Sequence, residues 1–158
     1  MNSGKTCFFL GEEEVDLRKR DIFQYCLAQE MEKQLLSGKN LFLVGDVTGF
    51  AAMVLLTSFF FRRFYPQLII KAVWPYRGYL PPDVDDATLR YCIEQVNQMQ
   101  YAAEEYGSGC VAKRNCYLLE SNSYGIVYSP LSHGPVAQTL ANACCRGVPA
   151  CNLAKWLD

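Results

Sequence analysis

The sequence predicts a Rossmann-like α/β fold, with a mostly parallel β-sheet and helices on both of its faces. Short apolar runs of four to seven residues alternate along the chain with segments of helical periodicity. No linker rich in Ser, Gly or Pro, no internal repeat and no low-complexity tract interrupts them. Such alternation forms right-handed βαβ units, which build parallel sheets. With 158 residues, the chain has the length of one domain, so we expect residues 1–158 to form a single unit.

The chain starts with a predicted strand, helix and strand. Residues 6–10 form a short apolar run that ends at Gly11, and residues 40–44 form a second such run. Between them, residues 21–37 have helical periodicity and end before Gly38, since glycine is common just after a helix. The face predicted for this helix comprises Ile22, Tyr25, Cys26, Gln29 and Leu36.

A helix that is apolar nearly all round follows the second strand. Thr48 is placed to cap it and Pro66 to end it, and residues 67–73 then predict the third strand. A surface helix needs only one apolar stripe, so the second face requires cover from the rest of the domain or from a second subunit. We therefore predict a homodimer that uses this helix. Its large apolar residues are Phe50, Met53, Val54, Leu55, Leu56, Phe59, Phe60, Phe61 and Phe64.

The second half of the chain predicts three more helices and three more strands. A loop after the third strand is marked by Pro75, Gly78, Pro81 and Pro82. The helices are expected at residues 85–98, 110–120 and 136–145. The strands are expected at residues 101–105, 125–128 and 150–153. The buried face of the first of these helices is predicted from Leu89, Cys92, Ile93 and Val96.

The composition is that of an ordinary globular protein. It is 51% hydrophobic and 20% charged, and 15 Lys and Arg residues nearly balance 16 Asp and Glu residues. The net charge of −1 and the absence of a Lys/Arg block make nucleic acid an unlikely partner. We expect a folded protein for which a polyanion is an unlikely partner, although a local basic stripe would be compatible with this composition.

Cysteine usage and the amino terminus predict a cytoplasmic location. The first ten residues contain too short an apolar run for a secretory signal, so the eight cysteines are expected to be reduced thiols. His133 is the only histidine and no C-x-x-C pair is present, so we expect neither a metal nor a cofactor. Residues 47–61 are uncharged but shorter than the roughly 20 residues of a membrane span, so we expect no membrane insertion.

The ligand crevice of an open α/β sheet lies beyond the carboxyl ends of the strands. Two strand-to-helix loops there are rich in small residues, at residues 44–49 and 129–136. Their backbone N–H groups suit an anion, although the glycines of both loops can equally serve as tight turns. We expect five loops to converge in the crevice: those at Gly11, residues 45–49, 74–78, 106–109 and 129–135.

Several of these segments resemble a known family. They are Tyr106-Gly-Ser-Gly-Cys110-Val-Ala-Lys113-Arg114-Asn115, Gly134-Pro-Val-Ala-Gln138-Thr139 and Arg146-Gly147-Val148-Pro149. Together they resemble the bacterial YpsA-like family of the SLOG superfamily of Rossmann-like proteins, which also includes the DprA and LOG proteins. The resemblance covers most of the chain and implies a binder of nucleotides or nucleotide-like ligands, often dimeric. The ligand-binding residues expected from the loops and the resemblance are Gly11, Gly45, Asp46, Gly49, Tyr106, Gly109, Lys113, Arg114, Gly134, Gln138 and Thr139.

The chain departs from this family in all three signature loops. Glu12 and Glu13 stand where the first motif has His-Arg, and Ala51 stands where the second has Asp. Pro135-Val136 replaces Gly-Thr in the third motif. Two carboxylates reverse the sign of a phosphate-facing turn, and Pro135 removes an N–H donor. These departures argue against a phosphate subsite in the predicted crevice.

Four residues have two interpretations each. Arg114 either holds an anionic ligand or forms a surface salt bridge with Glu104 or Glu105. Asp46 either accepts hydrogen bonds from a ribose or caps the helix near Thr48. His133 is either an acid or base or a loop residue without catalytic duty. Cys110 is either an activated thiolate beside Lys113 or Arg114 or a structural cysteine.

Three functions follow from these residues. The first is a nucleotide-like ligand binder without robust catalysis. The second is an N-glycosidic bond hydrolase assisted by Glu12 or Asp46, although residues 134–141 lack the Glu that the LOG proteins have there. The third is a protein-interaction module without a ligand. Ligand binding, release of a free base and capture of a specific partner distinguish the three.

Overall fold

The computed structural model describes residues 5–47, 49–79, 86–120 and 124–157. These residues form one parallel sheet in the order β4-β3-β2-β1-β5-β6, and five α-helices. The strands are β1 (Thr6–Gly11), β2 (Leu41–Val44), β3 (Ile69–Trp74), β4 (Gln98–Tyr101), β5 (Tyr124–Tyr128) and β6 (Ala150–Asn152). The helices are α1 (Arg20–Leu36), α2 (Phe50–Arg62), α3 (Ala87–Glu94), α4 (Cys110–Glu120) and α5 (Pro135–Cys145). The predicted Rossmann-like fold is confirmed.

The strand order places a topological switch beside β1. From β1 the chain steps outward through β2 and β3 to β4, then returns across the sheet to β5 and β6 on the other side. Phe8 of β1 therefore pairs with Leu43 of β2 on one side and with Gly125 of β5 on the other. Connections leave β1 and β5 in opposite directions, so a crevice is expected between the carboxyl ends of these two strands.

Two apolar clusters, one on each face of the sheet, hold the layers together. The first joins Phe9, Phe42 and Trp74 of the strands to α1, α2 and α3. The second joins Phe8 and Leu43 to α4 and α5. Neighbouring strand residues alternate between the two clusters, and both sets are buried, as is typical of a parallel sheet that helices cover on both faces.

The face predicted for the first helix is wrong. Ile22, Tyr25 and Leu36 are 59%, 62% and 72% exposed. The helix buries a different stripe, made of Phe23, Leu27, Glu30, Met31, Gln34 and Leu35. Two polar residues in that stripe obscured the apolar periodicity. They are tolerated because the Glu30 carboxylate accepts hydrogen bonds from the Gln34 amide at 3.2 Å and the Tyr124 hydroxyl at 2.9 Å.

The fourth strand begins earlier than predicted. Residues 98–101 form β4, whereas residues 101–105 were expected, and α3 ends at Glu94 instead of residue 98. Asn97 fixes this register, because its side-chain oxygen accepts hydrogen bonds from the Ile70 N–H and from Arg62, both at 2.9 Å. An edge strand with exposed polar residues has little apolar signal, so the sequence placed it too late.

The other elements lie within about three residues of their predicted bounds. The α2 helix has most of its cover within the chain. It packs against α1, where the Gln24 amide donates to the Thr57 hydroxyl at 2.7 Å, and against α3. Phe60 and Phe64 remain exposed near its end, and the homodimer stays a prediction. The expected cap at Thr48 and the part of the proline-marked loop at residues 80–85 lie outside the described residues.

Candidate functional site

A cavity of about 600 Å³ opens at the carboxyl edge of the sheet. It lies beyond the ends of β1, β2, β3 and β5, at the switch between β1 and β5. Apolar side chains form much of its wall, among them Leu10, Ala51, Val111, Leu131 and Val136. Its polar groups are Glu12, Glu13, Glu14, Asp46, Tyr79, Arg114 and Asn115.

The structure brings some of the predicted site residues together and leaves others apart. The loops after β1, β2, β3 and β5 all contribute to the cavity wall. Gly11, Gly45, Asp46 and Arg114 line it. The loop at residues 106–109 contributes no lining residue, and Tyr106 is 76% exposed against the ring of Tyr76. The predicted residues that lie outside the cavity wall are Gly49, Tyr106, Gly109, Lys113, Gly134, Gln138 and Thr139.

Arg114 is buried and forms part of a hydrogen-bond chain. Its Nη1 donates to the carbonyl oxygen of Gly45, and its Nε donates to Asn115 Oδ1 at 2.7 Å. Asn115 Nδ2 donates to Thr139 Oγ1 at 3.1 Å, and the Thr139 hydroxyl donates to the Pro135 carbonyl at 2.8 Å. These hydrogen bonds connect α4 to the end of β2 and to the first turn of α5.

The environment of Arg114 decides one of its two interpretations. Burial lowers the pKa of the guanidinium from its usual range, and the charge of Asp46 opposes that shift. Glu104 pairs instead with Arg77, with Arg77 Nε 2.8 Å from the carboxylate. The interpretation that Arg114 forms a surface salt bridge with Glu104 or Glu105 is therefore wrong, because Arg114 is enclosed between the end of β2 and α4.

Asp46 anchors the loop that follows β3. Its Oδ1 accepts hydrogen bonds from the Tyr79 hydroxyl at 2.6 Å and from the Val47 N–H at 2.7 Å. The α2 helix begins at Phe50 behind Gly49, and its N-cap has no side-chain hydrogen bond. Asp46 thus positions Tyr79, and its capping of α2 stays a prediction.

We expect the free energy of unfolding to fall as the pH rises above about 10, the usual tyrosine pKa. Burial, followed by the hydrogen bond to Asp46, raises the pKa of Tyr79. A group whose pKa is higher in the folded chain stabilises the fold fully below the unfolded pKa, and this contribution is lost as the pH rises towards the folded pKa. Urea unfolding between about pH 7 and about pH 11 measures this slope.

The Tyr79→Phe variant should have a shallower alkaline slope, because it lacks the shifted hydroxyl. Tyr106→Phe is the matched control, since Tyr106 is exposed. Burial also raises the pKa of Tyr124 and of the Cys7 thiol, so part of the slope remains in both variants. Equal slopes in Tyr79→Phe and the unaltered protein would contradict the raised pKa of Tyr79.

The glycines beside the cavity make room for the protein's own side chains. A Cβ at Gly11 would lie 2.6 Å from Cγ of Phe50, and one at Gly45 would lie 2.8 Å from Cδ of Arg114. Real Cβ atoms do not approach other heavy atoms so closely. Local packing therefore accounts for glycine at both positions, although each also borders the cavity.

The acidic segment Glu12–Glu14 crosses the start of α2. The Glu12 carbonyl accepts a hydrogen bond from the Phe50 N–H at 3.3 Å, and the Glu12 N–H donates to the Tyr128 carbonyl at 3.2 Å. All three glutamates border the cavity. Oε1 of Glu12 is buried and has no hydrogen-bond partner among the described residues.

Sequence reasoning missed the role of Tyr79 and the wall residues of the cavity. Tyr79 lies between prolines in a loop, and no pattern in the sequence marks it as the partner of Asp46. His133 is exposed and borders no part of the cavity, whereas Cys110 is buried. In the described ranges, no group of three or more His, Cys, Asp and Glu side chains is arranged to hold a metal ion.

No protein-family model matches this chain, and no curated protein matches it. Over the described residues, none of the helices has the length and apolar character that a membrane crossing requires. The cavity itself is therefore the main guide to function.

Proposed function

We propose that this chain is a small-molecule-binding protein that holds a nucleotide-like ligand in the cavity between β1 and β5. The observation that carries the proposal is the cavity at the topological switch, where open α/β sheets bind their ligands. Its volume of about 600 Å³ is within the range of small-molecule pockets. Apolar walls with a few polar groups suit a flat base joined to a sugar.

The described lining favours binding over catalysis. It includes no serine, cysteine, threonine, lysine or histidine, so of the groups that act as nucleophile or base only carboxylates are present in this part of the wall. Asp46 already accepts hydrogen bonds from Tyr79 and Val47, and Arg114 already donates to Gly45 and Asn115. These groups hold the walls of the cavity in place.

The resemblance to the YpsA-like family supports a nucleotide-like ligand. Three residues of the first resembling segment, Val111, Arg114 and Asn115, line the cavity, and Thr139 of the second segment lies one hydrogen bond behind Asn115. The segment therefore contributes directly to the cavity wall. A homodimer, a cytoplasmic location and the absence of a cofactor belong to the same proposal.

A thermal-shift screen tests this function. Nucleoside monophosphates, nucleotide sugars, ADP-ribose and free nucleosides are added to the purified chain. A ligand at 100 times its Kd should add about 2.7 kcal/mol to the free energy of unfolding, which raises the melting temperature by about 5–10 °C. The Val111→Trp variant should lose the shift, because Val111 lines the cavity. Ala112→Trp is the matched control, exposed on the same turn of α4.

Three outcomes separate the candidate functions. A shift without turnover supports the binding protein. Release of a free base, measured by chromatography, would establish the N-glycosidic hydrolase. Glu12 would then be the first candidate for the catalytic acid, because its buried Oε1 has no described partner. A flat screen would contradict the proposal and favour a protein-interaction module.

A further inference from the structure

The charge of the cavity wall is opposite to that of a phosphate site. Four acidic residues border the cavity, Glu12, Glu13, Glu14 and Asp46, against the single basic residue Arg114 among the described lining residues. That guanidinium is bonded to the Gly45 carbonyl and to the Asn115 side chain. Arg77, the cation on the nearby loop after β3, is paired with Glu104. An anion in this cavity would meet mainly like charge.

Two helix N-termini beside the cavity are also poor anion sites. The first amide of α2, that of Phe50, donates to the Glu12 carbonyl, so the chain itself occupies the position that a phosphate oxygen would take. The α5 helix begins with Pro135, which has no N–H to donate. The backbone donors that usually compensate a phosphate are therefore reduced on two sides of the cavity.

The Glu12 carboxylate is partly enclosed by the protein at the edge of the cavity. Its Oε1 is buried and lacks a hydrogen-bond partner among the described residues. A buried carboxylate oxygen without a partner is costly, and a positive charge placed in the cavity beside the carboxylate lowers that cost.

We infer that the ligand is a nucleoside-like molecule that carries an amine or another cationic group in place of a phosphate. This inference rests on the proposed function and names the charge of its ligand. The base packs against the apolar wall near Val111 and Leu131, and the cationic group lies towards Glu12 and Glu13. Affinity should therefore rise as the ligand charge changes from negative to positive.

Three ligands that differ only at the 5′ position test this inference. They are adenosine 5′-monophosphate, adenosine and 5′-amino-5′-deoxyadenosine, titrated calorimetrically into the full chain. We expect adenosine to bind about tenfold more tightly than the monophosphate, and the amine about tenfold more tightly than adenosine. Raising the salt concentration should reduce both differences in affinity, because ions screen exposed charges. The same three 5′ substituents are tested on guanine, uracil and cytosine nucleosides, because the base of the ligand is not specified by the inference.

Charge-neutralising variants assign the effect to the acidic segment. Glu12→Gln and Glu13→Gln should each weaken the amine about tenfold and leave adenosine within about threefold. Glu32→Gln is the matched control, since Glu32 is exposed on α1 and does not border the cavity. Thermal unfolding of each variant checks that the fold is intact.

The outcomes separate this inference from the function on which it rests. Tightest binding of the monophosphate, or equal binding of all three charge states, would overturn the inference and leave the binding function standing. The inference would also be overturned if the three ligands bind in the expected order of affinity but neither Glu12→Gln nor Glu13→Gln changes the affinity for the amine. The carboxylates would then not be the cause of that order. If no ligand of the adenine, guanine, uracil or cytosine series binds, both this inference and the proposed binding function are overturned.

Discussion

Replacement of Arg114 by methionine is expected to lower the free energy of unfolding by about 3 kcal/mol, because two buried hydrogen bonds from a charged donor are lost. The Gly45 carbonyl and the Asn115 side-chain oxygen would each lose their donor, and methionine keeps most of the buried volume. For a chain of this length, the melting temperature should fall by about 6–12 °C. Differential scanning calorimetry measures both quantities.

Lys113→Met is the matched control for this prediction. Lys113 precedes Arg114 on α4 but is exposed, so its replacement should change the free energy of unfolding by no more than about 0.5 kcal/mol. An Arg114→Met variant as stable as the control would show that the buried guanidinium contributes nothing net. Because Arg114→Met is expected to be less stable, the ligand affinities of Arg114→Met and Lys113→Met must be compared at a temperature where both variants are fully folded.

The position of Arg114 shows how far the sequence could predict the site. The rule that ligands bind beyond the carboxyl ends of parallel strands correctly led to the edge of the sheet where the cavity lies. It could not predict that Arg114 bonds to the Gly45 carbonyl, because the two residues lie 69 positions apart and meet only after α4 packs on the sheet. Tyr79 was missed for the same reason, since its hydrogen bond to Asp46 spans 33 positions.

The fold itself was more accessible from the sequence. Strands buried on both faces read as continuous apolar runs, so β1, β2 and β5 were predicted within one residue of their observed bounds. The errors occurred where the local pattern was weakest. In α1, the buried Glu30 and Gln34 broke the apolar stripe, and in β4 an exposed edge position removed it.

Replacement of Gly49 by alanine is expected to lower the free energy of unfolding by about 3 kcal/mol, which combines backbone strain with overpacking. Gly49 has a φ of 54°, in the region that favours glycine, and a Cβ there would lie 2.5 Å from Cα of Glu13. Main-chain atoms cannot turn aside as a side chain does. The acidic segment must therefore move away from the start of α2, where Phe50 bonds to the Glu12 carbonyl. Urea unfolding measures the loss.

Gly38→Ala separates the two causes of this loss. Gly38 also has a positive φ, 99°, but a Cβ there would meet no atom within 4 Å. It should therefore cost only the backbone strain, about 1 kcal/mol. The difference between the two variants then measures how firmly the backbone of the acidic segment is held against α2. Equal losses would mean that this segment yields freely, and the cavity wall that carries Glu12 and Glu13 would be adaptable instead of preformed.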